Sequence, residues 1–122
     1  MEIIAFKSIG ALSFGDSREI ARKKLASTFS TFQKAAGETE TDAFDELGLH
    51  LYYDDEGRLE FVEAFDPAQV VFRKVSFLGR SVDAVASDMK SLGFMATDDA
   101  YGPKFERAGI ALTAPSGVVE GV

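Results

Sequence analysis

His50 is the only histidine of the chain and lies in an alternating stretch, Leu49-His50-Leu51-Tyr52-Tyr53-Asp54, that reads as a β-strand. A lone imidazole excludes a histidine metal cluster, and a catalytic triad built on it would need a serine and an acid brought in from elsewhere in the fold. A single strand His is more often a surface or packing group. Two acid pairs, Asp54-Asp55 and Asp98-Asp99, have the composition to hold a divalent cation or to separate two carboxyl pKa values for acid-base work. Both fall at turns, where Asp serves local hydrogen bonding, and adjacent strand residues point to opposite faces. Asp54-Asp55-Glu56-Gly57 also lacks the spaced ligands and terminal Glu of a calcium loop. Gly10 and Gly15 are not followed by the Lys-Ser or Lys-Thr of a phosphate cradle. With no cysteine there is neither a thiolate nucleophile nor a disulfide framework. These residues point to no catalytic group, no metal and no cofactor, and to a chain that is not an enzyme.

Charge says more. The 122 residues carry a net −7, but Gly37 to Asp66 holds eleven acids against one base, Arg58, so that segment is −10 and the remainder +3. Such a field repels phosphate backbones and anionic lipid, which argues against nucleic acid and membrane as partners. It is either a solubilising face or a docking surface for a basic protein. No apolar run approaches the length of a membrane-spanning helix, and the first residues do not resemble a secretory signal, so a cytoplasmic location is expected.

The elements that must position these charges follow from periodicity. Glu2 to Phe6 reads as a strand. Asp16 or Ser17 can cap a helix running to about Thr28, with Ile20, Ala21, Leu25 and Phe29 inward and Arg18, Arg22, Lys23 and Lys24 outward. Ser30 to Lys34 is a short strand candidate and Ala35 to Asp42 an exposed loop. Gly48 to Asp54 and Arg58 to Phe65 form a hairpin around Asp55-Glu56-Gly57. Val70 to Val75 is the next strand, and Ser81 caps a second helix with Val82, Val85, Met89 and Leu92 at helical spacing and Gly93 as its stop. Phe94 to Thr97 is a strand, Asp98 to Pro103 a turn, and Ile110 to Ala114 with Val118 to Val122 a closing hairpin.

Those elements recur. Phe44-Asp-Glu-Leu-Gly48 followed by an alternating strand, a Gly turn and a strand with Glu60 reappears as Phe105-Glu-Arg-Ala-Gly109 and a strand with Glu120, and Phe14-Gly-Asp-Ser17 is echoed by Leu78-Gly-Arg-Ser81. The expected fold is α+β: one domain over residues 1–122 built from two β-α-β-β-β copies, about 1–66 and 67–122, forming a largely antiparallel sheet with two helices on one face. Either loops cover the other face or it stays open. If open, a three-residue hairpin loop places Arg58, Glu60 and Val62 beside His50, Tyr52 and Asp54, a mixture suited to protein contact.

Through Phe14 to Leu25 and Gly48 to Val62, with their echoes at Leu78 to Met89 and Gly109 to Val122, the chain resembles the tandem-repeat proteins similar to beta-lactamase inhibitory protein. The resemblance implies a sheet whose exposed face binds another protein. In general character the small, acidic, cysteine-free chain is also similar to bacterial immunity proteins that neutralise a toxin. The expectation is therefore an acidic module that binds and inhibits a basic protein partner, through His50, Tyr52, Tyr53, Asp54, Asp55, Glu56, Glu60, Val62 and Glu63. The alternative is a small-molecule-binding domain with a pocket between sheet and helices.

Overall fold

Ser17 and Ser81 each cap a helix: the Ser17 hydroxyl accepts from the Ile20 N–H at 3.2 Å and that of Ser81 from the Ala84 N–H at 3.1 Å. In the computed structural model, which describes residues 1–33, 35–98 and 102–122, these helices are α1 (Arg18–Leu25) and α2 (Val82–Ser91). Strands β1 (Ile3–Ile4), β2 (Ser8–Ile9) and β3 (Leu12–Ser13) precede α1. Between the helices run β4 (Ser30–Phe32), β5 (Thr41–Phe44), β6 (Leu49–Tyr53), β7 (Leu59–Ala64), β8 (Val71–Phe72) and β9 (Val75–Ser76). After α2 come β10 (Thr97–Asp98), β11 (Pro103–Phe105), a 3-10 turn at Glu106–Ala108 and β12 (Ile110–Ala111).

The fold is α+β, with antiparallel ladders, but the strands do not join in one sheet. Among the described residues they form β1-β2-β3, β4-β5-β6-β7, β8-β9 and β10-β11-β12. Short strands are the reason. Glu2 to Phe6 contributes only two ladder residues before Phe6 turns at φ +59°, and Val70 to Val75 is broken by Arg73 and Lys74 at φ +47° and +71° into the hairpin β8-β9. Phe94 to Thr97 pairs only from Thr97, and the expected closing hairpin is reduced to a single bridge between Thr113 and Gly121, because Ile110–Ala111 pairs with β11 instead. Helix α1 stops at Leu25, where Ala26 takes φ +48°, and Ile20 and Phe29 are exposed instead of inward. Lys34, at the end of one expected strand, and Asp99 to Tyr101 of the turn expected over Asp98 to Pro103 lie outside the described residues, while Pro103 itself stands in β11.

The sheets are tied to one another by the segments that flank them. The Gly15 N–H donates to the Leu59 carbonyl at 2.8 Å and the Leu59 N–H to that of Asp16 at 2.7 Å, while Gly79 and Arg80 make the same two bonds with Val119, both at 2.9 Å. The last residue closes on β7 through reciprocal bonds between Ala64 and Val122 at 3.1 and 2.9 Å. One cluster of buried side chains runs through these joints, including Leu12, Phe44, Leu51, Leu59, Phe77, Val85, Met89, Phe105 and Val119. Gly48 lets the β5-β6 turn pass under Phe65: at φ +72° a Cβ there would run into the Phe65 carbonyl and the Ala68 N–H.

The β8-β9 turn carries its left-handed conformation on two residues that resist it, where Asn-Gly is the usual solution. Arg73 recovers part of the cost by lying over the Phe72 and Phe94 rings at 5.3 and 5.2 Å. Replacing Arg73-Lys74 by Asn-Gly is expected to stabilise the fold by about 1 kcal/mol, the relief of strain less the lost ring contacts. Urea unfolding checks this through an increase in midpoint at unchanged slope.

Candidate functional site

The sheet β4-β5-β6-β7 has two chemically different faces. In the register Leu51 pairs with Asp42 and Val62, and Leu49 with Phe44 and Ala64, which form the inner face. His50 pairs with Ala43 and Glu63, and Tyr52 with Phe61, so these side chains share the outer face with Phe32 of the edge strand. The alternation of β6 is as expected: Leu49, Leu51 and Tyr53 are buried, and His50 and Tyr52 are half-buried on the other side.

The hairpin tip also forms as its loop length predicts, with the Asp54 N–H donating to the Arg58 carbonyl at 2.9 Å and Tyr53 meeting Leu59. The ladder then slips. Tyr52 pairs with Phe61, leaving Glu60 as the extra residue of a bulge, and from there every β7 side chain lies on the face opposite to the one expected. Val62 is thereby carried off the outer face to the row of Leu51 and packs against the core, while Phe61, 49% exposed, takes the place beside Tyr52. No sequence signal marks the bulge.

Tyr53 is corrected too. It is 3% exposed and its hydroxyl donates to Asp42 at 2.9 Å, so it belongs to the interior and not to a contact surface. Asp42, expected in an exposed acidic loop, is fully buried in β5. Arg22 forks onto both carboxylate oxygens at 2.8 and 2.7 Å, Arg18 adds a longer contact at 3.4 Å, and the Arg18 guanidinium lies over the Tyr53 ring. The two arginines expected on the solvent side of α1 thus hold that helix to the sheet. Hydrogen bonding to Asp42 raises the Arg22 pKa, and burial, then the bond to Asp42, pushes the Tyr53 hydroxyl far above its ordinary value. At the start of α1, Asp16 is held low: burial opposes this, but bonds from Lys24 and the Ser13 N–H outweigh it.

On the outer face the side chains form a line. His50 stands edge-on between Phe32 and Phe65, with centroids 5.3 and 4.8 Å away, and Tyr52 is edge-on to Phe61 at 5.4 Å. The His50 Nε2 is 3.2 Å from Asp45 and its Nδ1 3.3 Å from the Glu63 oxygen that also accepts from the Tyr52 hydroxyl at 3.3 Å. His50 thus stands between a carboxylate of the β5-β6 turn and one of β7. Asp54 accepts from the Glu56 and Arg58 N–H groups, both at 2.9 Å, and shapes the hairpin tip, leaving Asp55, Glu56 and Glu60 exposed around it.

Burial, then the Glu63 carboxylate, pushes the Tyr52 hydroxyl up from 10.0 to about 12. The raised value means that the folded state favours the neutral phenol. The resulting stability is fully present below the unfolded value near 10 and is lost as pH rises through about 12. The Tm of the protein is expected to fall across that window less steeply in Tyr52→Phe than in the wild type, as read by thermal melts at increasing pH.

Two concavities flank the hairpin. A polar hollow of about 610 Å³ on one side is lined by Glu38, Thr39, Tyr52, Asp55, Glu60 and Phe61 among others. A more apolar cleft of about 530 Å³ on the other lies between the N-terminal sheet, β7 and β12, with Phe6, Ile9, Phe14, Phe61, Val62 and Ile110 in its walls. The cleft is therefore a space between sheets and not one between sheet and helices. Among the described residues no group of His, Asp and Glu is set to hold a metal ion, and no helix is long and apolar enough to cross a membrane. Comparisons with protein-family profiles, with curated proteins and with solved structures found no match.

Proposed function

We propose that this chain is an acidic protein-binding module of the cytoplasm that inhibits or neutralises a basic protein, in the manner of an immunity protein acting on a toxin domain. The observation that carries this reading is the outer face of β4 to β7. There exposed Phe32 and Phe61 and half-buried His50, Tyr52 and Phe65 lie within a border of Asp45, Asp55, Glu60 and Glu63. Aromatic anchors inside a charged rim are the usual anatomy of a protein interface. The carboxylates steer a basic partner into encounter, the rings supply the desolvated contact, and neutralisation follows from occlusion of the partner's own site. The same field disfavours nucleic acid and anionic lipid.

Carbodiimide cross-linking, which joins carboxylates to lysines, tests this in a lysate of the source cell. The expected product is one basic protein attached through Asp45, Asp55, Glu60 or Glu63 and missing when Asp55 and Glu60 are changed to Asn and Gln and the salt is raised. Capture that is indifferent to those changes would overturn the reading. The apolar cleft favours a second one, a small-molecule-binding domain, since its volume falls in the range of about 300–1,000 Å³ common for ligand sites. That reading requires a Tm gain from a small apolar ligand that Phe6→Asn abolishes.

A further inference from the structure

We infer that the two concavities beside the β6-β7 hairpin act as one bipartite site for a partner segment bearing a basic side chain next to an apolar one. The inference rests on the proposed docking of a basic protein and names what that protein presents. The hollow and the cleft share a ridge of Asp54, Glu60 and Phe61. Their chemistries differ across it. On the hollow side Glu38 and Asp55 join the ridge carboxylates around the Tyr52 and Phe61 rings, an environment for a guanidinium or ammonium group through charge and ring contact. On the cleft side the walls include Ile3, Phe6, Ile9, Phe14 and Ile110, with Arg58 at the hairpin end, so this side suits the apolar side chain and not the basic one.

Two independent features of the backbone build this juxtaposition. The bulge falls at Glu60, the one β7 residue without a partner in the ladder, and a bulge redirects its side chain, here onto the ridge that both spaces share. Phe6 is held at φ +59°, a strained conformation for an aromatic residue, and the residue is 66% exposed on the cleft wall. It reaches that place because Gly109 has no side chain: a Cβ there would stand 2.7 Å from the ring. Folding alone gains little from an exposed ring on a strained backbone. An apolar side chain laid against Phe6 and Phe14 would complete their burial.

The test is a two-dimensional NMR titration of the intact protein at low salt. The probes are a blocked arginine amide and blocked peptides in which Leu and Arg are separated by no, one or two glycines. The arginine amide is expected to shift signals of Thr39 and Asp55 but not those of Ile9 and Ile110. At least one of the peptides should shift both sets and bind about tenfold tighter or more, because the second contact becomes intramolecular. Phe6→Asn, whose side chain tolerates the left-handed backbone, should return the peptide to the affinity of the amide. Phe14→Ser provides a second cleft variant, and Asp55→Lys should abolish binding of the amide. If the amide binds but no spacing gives tighter binding or the second set of shifts, the bipartite site is wrong while the acidic docking face stands. If no cationic probe binds, both fail.

Discussion

Asp42→Ala is expected to cost about 3 kcal/mol of folding stability, on the order of 10 °C in Tm for a domain of this size. The carboxylate is fully buried, and its removal strands the Arg22 fork, the Arg18 contact and the Tyr53 hydroxyl together. The two arginine side chains keep 31% and 25% of their surface in water and can partly rehydrate, which sets the loss at the lower end of the range for a broken buried pair. The bland alternative, that α1 is held by apolar packing, is weak because Ala21 is its one fully buried residue and Ile20 faces solvent. Replacing the whole cluster, Asp42→Leu with Arg18→Met, Arg22→Met and Tyr53→Phe, should recover much of the stability, since no charge of the cluster is then left without a partner. Urea unfolding of the single and combined variants measures both effects. A loss under about 1 kcal/mol for Asp42→Ala would show that the cluster behaves as a surface ion pair and that α1 is anchored by other means.

The same residue marks where local pattern stopped being informative. The β6 strand was legible because strict alternation of Leu49, Leu51 and Tyr53 with His50 and Tyr52 has no good helical reading. The serine caps were legible for a similar reason, since capping is a matter of a few neighbouring residues. Thr41 and Asp42 look like the end of a loop, yet Thr41–Phe44 is the fully buried strand β5, because its carboxylate is neutralised by two arginines that lie 20 and 24 residues away. Arg18 and Arg22, one helical turn apart on the same side of α1, were the available signal, but a basic stripe on a helix is normally solvated. The bulge at Glu60 had no signal, and the slip it causes exchanged Val62 for Phe61 on the outer face. The hairpin itself was therefore readable, and half of its contact surface was not.

Changing Asp55, Glu56 and Glu60 together to Lys is expected to slow association with the basic partner by about a hundredfold at low salt, within the 10–10³ span of electrostatic steering. All three are exposed, and among the described residues their side chains make one contact within the hairpin, a solvent-exposed pair of Glu56 with Arg58 at 3.7 Å, unlike the hydrogen-bonded Asp54 and Glu63, so Tm should remain nearly unchanged. Glu120→Lys is the matched control: it is exposed near the end of the chain, where the acids of the hairpin tip are missing, and it should alter the rate far less. The most direct test of the docking face is the association rate constant of the cross-linked partner, measured by stopped flow at about 0.01 M and about 0.15 M salt, where charges reach roughly 30 and 8 Å. The wild-type rate should fall steeply between the two conditions, and the Lys variant should be slow in both. Wild-type and variant rates that coincide at low salt and do not change with salt would contradict the account.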